Sequence, residues 1–113
     1  MIEITLQNTP NQSLTITINN DFYDILIKEA NGVMSCSISR NGTIIQSNSR
    51  MSAGYLIVPY QYQESGNFFM LTENDDYPYY DQFGITQSLF YVPESLLDDF
   101  RKINANNLNK EVF

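Results

Sequence analysis

Carboxylates and tyrosines are the side chains of this sequence that stand closely enough grouped to do chemistry. From Asn74 to Asp81 the chain reads Asn-Asp-Asp-Tyr-Pro-Tyr-Tyr-Asp. Hard cations take clustered oxygens, so Asn74, Asp75, Asp76 and Asp81 are the residues to test as calcium ligands. Their spacing departs from the EF-hand loop and no glutamate follows where a bidentate ligand would be needed, so a solvated acidic loop is the better reading and no metal is expected. Glu64, Glu73, Asp75 or Asp76 could be paired for glycoside hydrolysis, but any acidic β protein offers such pairs. The sequence has no histidine, which removes the usual general base, nucleophile activator and zinc ligand together. Cys36 has no activating neighbour in its alternating run and reads as a buried, inert thiol. The five glycines are scattered at turn positions, with no phosphate-binding loop. No catalytic residue and no cofactor are assigned, and the chain is read as a binding protein, not an enzyme.

Tyr77, Tyr79 and Tyr80, set among Asp75, Asp76 and Asp81, form the most pointed local feature. Tyrosine is enriched at protein interfaces, where one ring offers a large apolar face and a polar tip. Such rings also stack on sugars, which makes a small carbohydrate-binding β module the alternative function. A third reading is that the tyrosines simply cover one end of the core. A second candidate contact group follows Pro93, where Leu96, Leu97 and Phe100 fall at helical spacing; these residues either pack a helix on the sheet or meet a partner.

The elements that position these groups are mostly strands. Ile2, Ile4 and Leu6 alternate with polar residues, as do Leu14, Ile16 and Ile18, then Tyr23, Ile25 and Ile27, then Met34, Cys36 and Ile38. Alternation with a period of two gives strands with one wet face, hence antiparallel pairing. Asn19-Asn20-Asp21, Asn31-Gly32 and Asn41-Gly42 supply the turns between them. Thr43 to Ile45 continues this meander. Ser47 to Gly54 reads as a polar loop, Tyr55 to Val58 as a strand ended by Pro59, and Gln61 to Asn67 as a turn. Phe68 to Thr72 and Ser88 to Val92 read as the last strands. Pro93 and Glu94 then suit the first turn of a short helix, and residues 104–113 read as an asparagine-rich tail. The expected fold is all-β: an antiparallel β-sandwich or small barrel of about seven strands with a short C-terminal helix. Residues 1–93 make the β domain and residues 94–113 the helix and tail.

The chain of 113 residues fits one domain. Thirteen acidic residues against six basic ones give a formal charge of −7. Nucleic-acid affinity rests on Lys and Arg displacing counterions, so nucleic acids and anionic membranes are unfavourable partners. One cysteine allows no internal disulfide. No secretory leader is visible, and no apolar run approaches the ~20 residues that span a bilayer; the expectation is a soluble protein made in a cytoplasm.

The order of segments carries a resemblance. Ile2-Glu3-Ile4-Thr5-Leu6 is followed by the polar spacer Asn8-Thr9-Pro10-Asn11 and a second alternating strand, then by Asn20-Asp21-Phe22-Tyr23 and the Asn41-Gly42 hairpin. Gly54-Tyr55-Leu56, Phe68-Phe69-Met70-Leu71, Tyr77-Pro78, Gly84 and Leu89-Phe90-Tyr91 come next. Over roughly residues 1–93 this succession resembles the small baseplate plug proteins of contractile-tailed phages, as in a cyanophage tail. The resemblance implies a non-enzymatic structural component of the virion, made in the host bacterial cytoplasm and lodged near the tail axis. It also implies partners among the other baseplate, hub and tail-tube proteins, with self-association open. The surface expected to make those contacts is Asp75, Asp76, Tyr77, Tyr79, Tyr80 and Asp81, with Leu96, Leu97 and Phe100.

Overall fold

Asparagine and glycine set the turns on which the larger sheet is built. The computed structural model describes residues 2–58, 66–99 and 101. In it Asn19 and Asn20, Asn31 and Gly32, and Asn41 and Gly42 all take positive φ, the backbone that two-residue hairpins need to match strand twist. These turns join β2 (Gln12–Ile18), β3 (Asp21–Ala30), β4 (Val33–Arg40) and β5 (Thr43–Arg50) in the order β2-β3-β4-β5, every pair antiparallel. The Asn41 amide fixes one corner: its Oδ1 accepts from the Phe22 N–H at 2.9 Å and its Nδ2 donates to Asp21 Oδ1 at 3.0 Å.

The second sheet holds β1 (Ile2–Ile4), β6 (Asn67–Thr72) and β7 (Gln87–Val92) in the order β1-β7-β6, also antiparallel. The chain crosses between sheets after β1, and the Gln12 amide ties that crossing by accepting from Gln7 N at 3.0 Å and donating to Gln7 O at 2.8 Å. Two separate sheets face each other without closing, which settles the sandwich over the barrel. A short helix covers residues 94–99.

The core lies between the sheets and follows the period of two. Tyr23, Ile25 and Ile27 from β3 and Met34, Cys36 and Ile38 from β4 meet Phe68, Met70, Leu89 and Tyr91 from the smaller sheet, all fully buried. The rings of Tyr23, Phe68 and Tyr91 form a triangle across the interface. Phe68 stands edge-on to Tyr23 and Tyr91 at centroid distances of 5.2 and 5.4 Å, and the two tyrosines are 5.9 Å apart. Edge-to-face packing of this kind adds about 1 kcal/mol per pair beyond area burial. A smaller cluster sits on the other face of β6 and β7, where Leu97 of the helix packs with Phe69 and Val92 beside Leu56 and Phe90.

Two segments differ from the sequence reading. Residues 47–50 are strand, not loop: β5 runs to Arg50 because a bulge at Asn48, with φ of 50°, absorbs the polar run while the Asn48 N–H bonds Ser37 Oγ at 2.9 Å. Tyr55 to Val58 is not a ladder strand. Gly54 turns the chain at positive φ, so Ala53 bridges Met70 in parallel sense and Leu56 bridges Phe69 in antiparallel sense. A segment that reverses between two bridges cannot extend either. Residues 61–65, with Glu64, lie outside the described residues, as do Phe100 and the tail 102–113.

Candidate contact surface

The acidic-aromatic segment is the connection between β6 and β7, and it is held from beneath by one buried amide. Gln87, nearly inaccessible at the start of β7, accepts from the Tyr79 N–H at 2.8 Å through Oε1 and donates through Nε2 to the Tyr77 carbonyl at 3.2 Å. Pro78 lies buried between those bonds. On the strand side, Thr72 Oγ1 donates to Asp76 O at 2.8 Å, and Asn74 and Asp75 sit at positive φ, where the short polar side chains of Asn and Asp are tolerated. That backbone leaves Glu73, Asp75 and Asp76 exposed. Farther on, Phe83 plugs into the core, and Asn8 from the β1–β2 crossing donates to its carbonyl at 2.6 Å. The loop is thus anchored at both ends and near its middle.

The tyrosines divide into two roles. Tyr79 and Tyr80 are half-buried against the main core with centroids 4.7 Å apart and planes tilted by 40°. Desolvation raises the Tyr79 phenol above its ordinary pKa, with Glu29, Tyr80 and Asp81 adding in the same direction. Tyr77 points outward at 69% exposure, and the Arg50 guanidinium lies 4.6 Å from its ring centroid, a cation–π contact worth about 0.5–1 kcal/mol at an exposed site. Asp81 is exposed beside them. The structure therefore brings Asp75, Asp76, Tyr77, Tyr79, Tyr80 and Asp81 onto one clamped loop.

The C-terminal candidates lie elsewhere. Leu97 is 2% exposed and packs with Phe69 and Val92 on the outer face of the three-stranded sheet, whereas Tyr79 and Tyr80 join the cluster on its inner face. Leu96 is 42% exposed. Arg50 and Gln87 shape the loop surface yet stand out in no sequence pattern. Arg50 closes a strand that reads as loop, and Gln87 is one glutamine among several. Among the described residues no group of three or more His, Cys, Asp or Glu side chains is arranged to hold a metal ion, and no helix is long and apolar enough to cross a membrane.

Fold and loop together define a class: a small antiparallel β-sandwich that presents an anchored acidic-aromatic loop. Residues 1–94 match the family model described as cyanophage baseplate Pam3 plug gp18, and the chain belongs to that family of baseplate plugs. The resemblance carried by the order of strands and turns is the family relationship itself. No match is found among the curated proteins.

Proposed function

We propose that the chain is a non-enzymatic structural part of a contractile phage tail baseplate, seated near the tail axis against hub and tail-tube proteins and made in the host bacterial cytoplasm. The observation that carries this reading is the family match across residues 1–94. The geometry agrees with it. A pre-ordered loop loses little entropy on docking, and its exposed Tyr77, braced by Arg50, is the kind of aromatic anchor that concentrates binding energy. Asp75, Asp76 and Asp81 would form the charged rim of that contact, facing basic groups on the partner.

The test is reconstitution from purified components. The chain is mixed with hub and tail-tube proteins of the same phage, and complexes are separated by size and weighed. A stable stoichiometric complex is expected, weakened roughly tenfold or more by Tyr77→Ala as for an interface anchor. Failure to associate with either protein would overturn the reading. The carbohydrate alternative is not advanced, because Tyr79 and Tyr80 are tilted against each other and packed on the core while Arg50 engages Tyr77. The three rings make no shared flat platform for a sugar.

A further inference from the structure

Edge strands invite pairing, and folded proteins blunt them with charge, proline, bulges, shortness or a covering segment. Three of the four sheet edges here carry such a device. β5 has two register shifts and ends in Arg50, β1 is three residues long with Glu3 at its centre, and β6 is bridged by Ala53 and Leu56. The fourth, β2, has none among the described residues. Its seven residues, Gln-Ser-Leu-Thr-Ile-Thr-Ile, contain no charge and no proline, and they pair with β3 in unbroken register. Only one of its sides is paired among the described residues, so alternate N–H and C=O groups face outward.

The core is also incomplete on that side. Inward residues of β3 and β4 are fully buried, whereas Leu14, Ile16 and Ile18 of β2 are only half-buried and Ile2 of β1 is 48% exposed. These residues, with Ile4 and Glu3, line an open groove of about 410 Å³ between the free edges of β1 and β2. We infer that β2 is a self-pairing edge, where a second copy of this chain adds its own β2 antiparallel and joins two four-stranded sheets into one.

The strand's own sequence selects that occupant. A twofold axis through Thr15 sets Leu14 opposite the partner's Ile16 and Gln12 opposite the partner's Ile18 on the groove side. On the wet side it sets Ser13 opposite the partner's Thr17 and Thr15 opposite the partner's Thr15. Leu14 and Ile16 meet each other and hydroxyls meet hydroxyls, pairs that antiparallel sheets favour, while Gln12 lies against the partner's Ile18 at each end of the seam. The chain carries −7 overall, so two copies repel at long range; the seven residues of the strand itself are uncharged and can pair without opposing like charges, Glu3 being the carboxylate that lines the groove beside it. Asp24, on the neighbouring strand, accepts the Thr15 hydroxyl at 2.8 Å. It lies one strand farther from the axis, which puts the two copies of it beyond the Debye length of roughly 8 Å at physiological salt. A seven-residue strand pair spans roughly 24 Å, a modest interface that gives a concentration-dependent dimer. The inference stands on β2 and the groove beside it and does not depend on the baseplate reading.

The test uses two double variants at the same exposed positions. In Ser13→Lys with Thr17→Lys, the proposed register opposes two pairs of like charges. In Ser13→Lys with Thr17→Glu, it opposes two pairs of unlike charges. Residues 13 and 17 are too far apart along one strand to interact within a single copy, so only self-pairing tells the variants apart. Analytical ultracentrifugation of the full chain, up to about 0.5 mM, should show a wild-type dimer. The Lys/Lys variant should bind itself roughly tenfold more weakly, and the Lys/Glu variant should hold or strengthen the dimer. Hydrogen exchange of wild type gives a readout free of substitution: amides within residues 13–18 should gain protection as concentration rises. A wild type that stays monomeric would overturn the inference, including the case in which another protein's strand takes the edge. So would two variants that dissociate alike.

Discussion

At the scale of single residues, the protein keeps polar groups paired and ionisable groups neutral inside the sandwich. Asn67, fully buried, accepts from the Val58 and Phe68 N–H groups at 3.0 and 2.7 Å and donates to the Val58 carbonyl at 2.8 Å. Its amide stands in for the ladder partner that the irregular segment before β6 does not supply. Cys36 and Tyr91 show the ionisable case. Burial pushes the Cys36 thiol up to about 12. Burial, then the neighbouring Tyr23, pushes the Tyr91 phenol up to about 12. Both groups are neutral when protonated, so the folded state keeps protons that the unfolded chain releases. Their contribution to stability is complete below about pH 9 and is lost as pH climbs through 12. The urea midpoint should fall across that window, and Cys36→Ala should flatten the first part of the decline. An unchanged midpoint from pH 8 to 11 would contradict the burial of both groups. Of all this, the thiol's inertness and the absence of imidazole chemistry are legible in the sequence. The role of Asn67 is not, because one asparagine among many betrays its partners only in three dimensions.

At the scale of elements, the first half of the chain was readable because each strand has one wet face. Alternation in β2, β3 and β4, together with asparagine at every turn, leaves one register open to each hairpin. The second half was not, because β6 is buried on both faces and has no period to read. Polar residues 47–50 could join β5 only through a bulge, and Tyr55 to Val58, apolar enough for a strand, is diverted at Gly54. The acidic-aromatic loop was visible as a composition, yet its anchoring by Gln87 was hidden. The helix over residues 94–99 illustrates the cost of that blindness. Leu97 completes a small core with Phe69 and Val92, so Leu97→Ala should destabilise the protein by about 2–4 kcal/mol in chemical denaturation, as large-to-small changes at buried leucines do. Leu96→Ala, at the exposed neighbour, should change stability by less than about 0.5 kcal/mol. Equal effects would mean that the helix docks in another orientation.

At the scale of the whole molecule, net charge and aromatic packing govern behaviour. A −7 surface should leave purified protein without measurable affinity for duplex DNA at ~150 mM salt, a property that the proposed seat near the tail axis would call for. A mobility shift at that salt would show a basic patch that charge counting conceals. The triangle of Tyr23, Phe68 and Tyr91 has a practical corollary. The sequence contains no tryptophan, so near-ultraviolet dichroism reports tyrosine and phenylalanine alone, and two of its most rigidly held chromophores come from opposite sheets. Sliding of one sheet over the other would erase that signal while leaving the far-ultraviolet signature of the strands intact. The molecule thus carries a built-in optical gauge of whether its two layers remain seated.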